Sequence, residues 1–156
     1  MKLIVVSDTH GRAGRMKQIK ERHPDADGLL FLGDGASEMR RFDTLYPLYY
    51  AVRGNCDVAS RLDDEQVVSL GGVDVLLAHG HLWRVKWDLL RLALRAREVG
   101  ARVALFGHTH QPLATYEQGV FLMNPGALER GSYAVLTLSP DAFSARHYNL
   151  NDGENP

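Results

Sequence analysis

Short, continuously apolar runs alternate with polar segments along most of the chain. The run over residues 2–6 ends at Ser7-Asp8, and the run over 29–32 ends at Gly33-Asp34. A third, over 48–52, leads into Arg53-Gly54-Asn55-Cys56-Asp57. Runs of this length without alternation fit strands covered on both faces. Helical spacing predicts helices over 14–23, where Pro24 closes the segment, and over about 36–45. Strand, helix, strand, helix, strand is the order expected of a largely parallel sheet.

The pattern then changes. Residues 66–70 and 73–78, joined by Gly71-Gly72, read as a hairpin ending at His79-Gly80-His81. A longer helix is expected over 86–99, stopped by Gly100, with Trp83, Trp87, Leu90 and Leu94 as its core-facing stripe. A binding role for either tryptophan is the alternative. Arg91, Arg95 and Arg97 then form a solvated side or a basic rim over an anionic substrate. A strand over 102–106 precedes Gly107-His108-Thr109-His110, and further strands are expected over 113–116, 120–123, 133–138 and 143–148. The tail from 149 to 156 is expected to fray. The inventory implies two sheets packed face to face with helices outside.

The polar residues that end these runs are chemically selective. Asp8 with His10, Asp34, Asn55, His79 with His81, and His108 with His110 all sit at strand ends, and these turns hold five of the seven histidines. In α/β sheets, loops beyond the carboxyl ends of strands converge on one crevice. Singly, each residue has a plain role as a cap, a turn former or a surface group. Together, imidazole, carboxylate and amide oxygens suit Mn, Fe, Ni or Zn better than Ca or Mg. They are too many for one ion, whereas two ions sharing one carboxylate use them all. Cys56 is the only cysteine, so neither a cysteine-rich zinc site nor an internal disulfide competes.

In this order, Asp8-Thr9-His10, Gly33-Asp34, Gly54-Asn55-Cys56-Asp57, His79-Gly80-His81 and Gly107-His108-Thr109-His110 resemble the signature of the calcineurin-like metallophosphoesterases. Size and the Gly-Asn-Cys-Asp variant are similar to the YfcE-like branch of compact phosphodiesterases. The resemblance spans residues 7 to about 126 and implies an α/β (α+β) fold, a four-layer α-β-β-α sandwich of two mixed β-sheets flanked by helices. It implies one metal held by Asp8, His10 and His110, a second held by Asn55, His79 and His108, and Asp34 bridging them. Manganese is the favoured metal, with nickel, iron and zinc as alternatives. The implied activity is hydrolysis of a small phosphodiester by a hydroxide activated at the two ions. Asn55, Cys56 and His81 are the candidate catalytic residues.

Two departures bear on chemistry. Cys56 stands where many relatives carry a histidine that protonates the leaving group. A thiol with a pKa of about 8.5 is a poorer donor, so aryl esters and diesters are expected to react better than alkyl monoesters. Filling the turn is the alternative role for Cys56, while His81 divides between phosphate contact and a structural part. Asp57 is expected to order its loop. Asn124-Pro125-Gly126 matches a turn of the branch, but Ala127 stands where serine is frequent. Packing is expected of Tyr46, Tyr49 and Tyr50, with stacking on a base as the alternative.

Length and composition narrow the setting. The chain has 156 residues, 45% hydrophobic and 24% charged, with a net charge of -1, consistent with one domain over 1–156. That charge gives no footprint for a nucleic acid polymer or a membrane, leaving a small phosphoester as the expected partner and the oligomeric state open. No signal peptide or membrane-length apolar stretch is visible, and the chain is expected in the cytoplasm. A rival function is a non-catalytic scaffold for protein–protein interaction, as in the retromer subunit that resembles this branch with ligand histidines replaced.

Overall fold

The computed structural model describes residues 1–152. In the first sheet, β1 (Lys2–Val6), β2 (Gly28–Phe31) and β3 (Leu48–Ala51) run parallel, with Leu3 opposite Gly28 and Leu29 opposite Tyr49. The second sheet holds β4 (Glu65–Leu70), β5 (Val73–Ala78), β6 (Val103–Leu105), β7 (Pro112–Glu117) and β8 (Val120–Pro125), in the order β4-β5-β6-β8-β7. There β5, β6 and β8 are parallel and the two edge strands antiparallel. The chain then returns to complete the first sheet with β9 (Ser132–Leu138) and β10 (Phe143–Asn149), giving β10-β9-β1-β2-β3. Both sheets are mixed, as expected.

Alternation along the strands builds three apolar layers. Leu3, Val5, Leu30 and Leu32 face Val75, Leu77, Val103 and Leu105 between the sheets. On the outer side of the first sheet, Ile4, Leu29 and Phe31 meet Met16 and Ile19 of α1 (Met16–Arg22) and Met39 of α2 (Ala36–Met39). Leu76, Ala104 and Leu122 meet α3 (Leu90–Glu98) on the other side. The central strands are thus covered on both faces, which is why their sequences carry no polar alternation. Each fully buried aliphatic side chain contributes about 1.5–3 kcal/mol, so these layers dominate the stability.

Several expectations need correction. The expected helix over 36–45 is only α2 followed by a 3-10 turn at Arg40–Phe42. The expected helix over 86–99 begins at Leu90, and the segment before it is a chain of turns. Its stripe is also misplaced, because Trp87, Leu90 and Leu94 are exposed and the buried face is Leu92, Ala93 and Ala96. Alanines let the helix lie close on the sheet, so the largest apolar residues project to its flanks. The start of the tail is paired: Asn149 belongs to β10, and Leu150 donates to the Gly131 carbonyl at 2.9 Å. The rest of the expected fraying, at 153–156, lies outside the described residues. Tyr46 packs as expected, buried with its hydroxyl donating to the His23 carbonyl at 3.2 Å. Among the described residues, no helix is long and apolar enough to cross a membrane.

Candidate metal centre

Every parallel strand of the first sheet, and β5 and β6 of the second, stops at the same rim. The loops that follow carry the candidate residues, so the site straddles the seam between the sheets. Asp8, after β1, is fully buried, while Asp34, after β2, is nearly so. His79, after β5, is fully buried, and His10, Asn55 and Cys56 are exposed.

The oxygens and nitrogens converge. Asp8 Oδ1 lies 3.0 Å from His110 Nε2, 3.8 Å from His10 Nε2 and 3.9 Å from His79 Nε2. Asp34 Oδ2 lies 3.4 Å from His79 Nε2 and 3.9 Å from His10 Nε2. Asn55 Oδ1 is 3.2 Å from His79 Nε2. The His108 ring centre is 5.1 Å from that of His79 and 6.1 Å from that of His81. Donor atoms of Asp8, His10 and His110 cluster within 4.8 Å of one another, as do those of Asp8, Asp34 and His79, and those of His10, Asp34 and Cys56. All candidate residues from the sequence are therefore gathered at one place.

Two observations test whether this cluster suits cations. Asp8 Oδ1 is buried with no hydrogen-bond donor, a costly state for a carboxylate oxygen unless a cation faces it. His79 Nδ1 is 2.7 Å from the Leu32 carbonyl, which can only accept, so Nδ1 carries the proton in the neutral ring. Its Nε2 then turns a lone pair toward Asp8, Asp34 and Asn55 oxygens. Lone pairs converging on one small volume repel each other without a positive charge between them, and a carbonyl on the far nitrogen is the usual way to orient a ligating imidazole. The residues fit divalent metal.

Backbone strain concentrates at the same rim. Asp8, His10, Asp34, His108 and His110 all have positive φ, between 36° and 65°. For side chains with a Cβ this costs on the order of 1–2 kcal/mol each, so neighbouring bonds must hold it. Asp8 N donates to the Gly33 carbonyl at 2.9 Å, Thr9 N to the Asp34 carbonyl at 2.9 Å, and His108 N to Asp8 Oδ2 at 3.1 Å. Gly107 is required at its position, since a Cβ there would lie 2.0 Å from Ser7 Oγ and 2.8 Å from Asp8 Oδ2.

Supporting residues complete the frame. Asp57 accepts four backbone N–H groups, from Asp34, Gly35, Ala36 and Gly54, at 2.8–2.9 Å. Cys56 N donates to Asp34 Oδ1 at 2.8 Å, fixing that carboxylate. Sequence reasoning missed Glu38, whose carboxylate accepts from Thr9 Oγ1 at 2.6 Å, Gly11 N at 2.8 Å and Ala13 N at 3.0 Å. It noted Asn124 only as part of a turn. In fact Asn124 donates to the Gly107 carbonyl at 2.7 Å and Thr109 Oγ1 at 3.0 Å, holding the histidine loop. An Asn closing the wholly buried β8 was the available signal.

Charge at the site follows from these contacts. Burial works to raise the Asp34 pKa, but the His79 hydrogen bond and charge and the Cys56 N–H outweigh it, holding the carboxyl well below the usual range. Burial likewise opposes charge on His79, yet Asp34, Asp8 and the Leu32 carbonyl raise its pKa. Burial, then the charges of His79 and Lys86, push His108 down to about 4. His81 is lowered by burial and the His79 charge, and its Nδ1 is buried without a partner. Burial and the neighbouring carboxylates, Asp34 foremost, raise the Cys56 thiol.

Two clefts flank the centre. One of about 750 Å³ borders Cys56, with Arg40, Tyr49 and Arg61 among its walls. The other, of about 550 Å³, opens beside the histidine loop at Thr109 and Gln111 and includes Lys86 and Trp87.

Comparison with known proteins agrees with this architecture. Residues 1–141 match the family described as the calcineurin-like phosphoesterase superfamily domain. The chain is 36% identical to a probable metallophosphoesterase, YsnB, of Bacillus subtilis, over 99% of this chain and 94% of that one. A conserved uncharacterized protein of Streptococcus pneumoniae, described as a predicted phosphoesterase, has 27% identity and a TM-score of 0.80, over 95% of this chain and 88% of that one. Vps29 of Entamoeba histolytica, solved with zinc, shares the fold at 22% identity and a TM-score of 0.81, over 99% and 95%.

Proposed function

Since the chain belongs to the calcineurin-like phosphoesterase superfamily, in its small YfcE-like branch, we propose that it is a dinuclear-metal phosphodiesterase acting on a small phosphodiester. The observation that carries this reading is the convergence of the unpartnered Asp8 Oδ1, Asp34 Oδ2, Asn55 Oδ1 and the His79 lone pair on one volume at the seam. Asp8, His10 and His110 would hold one divalent ion and Asn55, His79 and His108 the other, with Asp34 between them. Manganese is our first choice, then nickel, iron or zinc. Ions bound there would lower the pKa of bound water and neutralise charge on phosphoryl oxygens.

The rest falls to the protein's own residues. Asp34 stays ionised through the physiological range, so it needs no deprotonation before it can ligate. His79 is held in one tautomer by Leu32, and His108 is neutral above about pH 4, both conditions for binding metal. Cys56 restrains Asp34 through its backbone N–H, and its thiol keeps its proton near neutral pH. His81, uncharged and beside His79 and His108, is positioned to donate a hydrogen bond to a phosphoryl oxygen. We also propose that residues 1–156 act as one domain, in the cytoplasm.

A second reading, a protein-interaction scaffold, draws on the exposed Leu82, Trp87, Leu90 and Leu94 and on the fold shared with Vps29. One experiment separates the two. Metal-stripped protein is assayed on an aryl phosphodiester and the matching monoester before and after adding Mn, Ni, Zn or Mg, with metal content measured in parallel. Metal-rescued diester hydrolysis at about two ions per chain, lost together with metal in Asp34→Asn and His108→Ala, is the expected result. Absence of both binding and turnover, or near-normal turnover in both variants, overturns it.

A further inference from the structure

The segment between β5 and α3 is the most unusual part of the surface. It is built of tight turns: Trp83 N donates to the Gly80 carbonyl at 3.1 Å, Trp87 N to the Arg84 carbonyl at 2.9 Å, and Arg84 takes φ of 53°. Outside the histidine and aspartate loops, positive φ at a residue with a Cβ occurs only here and at Gln118 of the β7–β8 turn among the described residues. A strained, hydrogen-bonded loop presents its side chains in a fixed direction. It presents Lys86 and Trp87.

Trp87 is 85% exposed, the most solvated large aromatic of the described residues. It belongs to none of the three apolar layers, yet it lines the cleft of about 550 Å³ that includes Thr109 and Gln111. That cleft is also lined by Phe106 and Val85, both buried, and by the exposed Leu113. Thr109 lies between the two loop histidines in sequence, so the cleft starts where the phosphoryl group would be held. Lys86, exposed and also lining this cleft, adds a cation. The cleft therefore combines an exposed aromatic ring with apolar and polar lining, within the size of small-ligand sites. The other cleft, by Cys56, has arginines but only the half-buried ring of Tyr49.

We propose that this cleft is a nucleobase subsite: Trp87 stacks on the base of a nucleoside ester while Thr109 and Gln111 meet its polar edge and Lys86 faces the phosphate. The inference rests on the phosphodiesterase reading above and specifies its substrate class as a small nucleotide ester. Stacking suits the requirement, because every base has a π-face and an aromatic side chain accepts it without a sequence code.

Thymidine 5′-(p-nitrophenyl phosphate) and methyl p-nitrophenyl phosphate share a leaving group and differ only in the second ester. Metal-loaded wild type is expected to favour the nucleoside ester in kcat/KM by about tenfold, the scale of one base stacked on one ring. Trp87→Ala brings the ratio toward one and Trp87→Phe restores most of it. Leu94→Ala, an exposed apolar residue outside the cleft, leaves the ratio unchanged. Independently of turnover, thymidine 5′-monophosphate added to metal-free Trp83→Phe protein, where Trp87 is the remaining tryptophan, quenches indole fluorescence saturably. A wild-type ratio near one, or a ratio indifferent to Trp87→Ala, overturns the subsite and leaves the phosphodiesterase reading standing. Quenching without hydrolysis of either ester keeps the subsite and overturns that reading; failure of both assays removes both.

Discussion

Asp57 offers the sharpest quantitative test of how the centre is held. Its Oδ1 accepts from Gly35 N and Ala36 N, and its Oδ2 from Asp34 N and Gly54 N. In Asp57→Asn, one oxygen becomes an NH₂ that confronts two backbone N–H groups, a donor against two donors whichever way the amide turns. Two charge-assisted bonds are lost at about 1.5–3 kcal/mol each, or roughly 3–6 kcal/mol in total. Asp57 is only half-buried, so water replaces part of the lost bonding and the low end applies, about 3 kcal/mol. That is a large share of the ~5–15 kcal/mol that holds a domain together. Urea unfolding of metal-free protein should report it as a lowered midpoint at unchanged m, and thermal unfolding as a fall of roughly 6–12 °C. Working metal-free removes the stabilisation that bound ions add. Asp63→Asn, on an exposed carboxylate in the same loop, serves as the control and should change stability by less than about 0.5 kcal/mol. A loss below about 1 kcal/mol in Asp57→Asn would refute the view that this carboxylate is the knot of the loop.

Other expectations concern single groups. Cys56→Ala keeps the backbone N–H that binds Asp34, so metal content should persist and turnover stay within about tenfold of wild type; a fall of about 100-fold or more would instead make the thiol a proton donor. His23, buried against Tyr133, has its pKa lowered by burial and then by the charge of Lys2. The unfolded chain therefore binds more protons than the folded one as pH falls below the ordinary value of 6.5, and stability must decline there. Unfolding followed from pH 7 to pH 5 should show this decline in wild type and a weaker one in His23→Gln, and identical slopes would contradict it.

What could be read from the sequence was whatever has a local cause. The runs 2–6, 29–32 and 103–105 are apolar because both faces of their strands are covered, and Asp8, Asp34 and His108 follow them within three residues. Of the stripe, Trp83 does pack against the core, but Trp87, Leu90 and Leu94 misled because helical spacing records apolar character and not distance. The face that meets the sheet is made by Leu92, Ala93 and Ala96, small enough for close approach. Glu38 and Asn124 were invisible as site residues because each acts across the fold, Glu38 on residues 25–29 positions away and Asn124 on a loop 15–17 positions away. Positive φ at five candidate ligand positions likewise has no signature in a string of letters.

The position of β1 between β2 and β9 sets an order of events during synthesis. Every candidate ligand, up to His110, is made before residues 132–138, yet β1, whose following loop carries Asp8 and His10, has an open edge until β9 pairs with it. Leu128 N and Glu129 N, which bond the carbonyls of Ser7 and Asp8, arrive equally late. The loop after β1 is therefore fully held only when these late residues have folded back, and long-range pairing of this kind is slow to form. The candidate centre reaches its finished geometry only once β9 has been made and paired with β1.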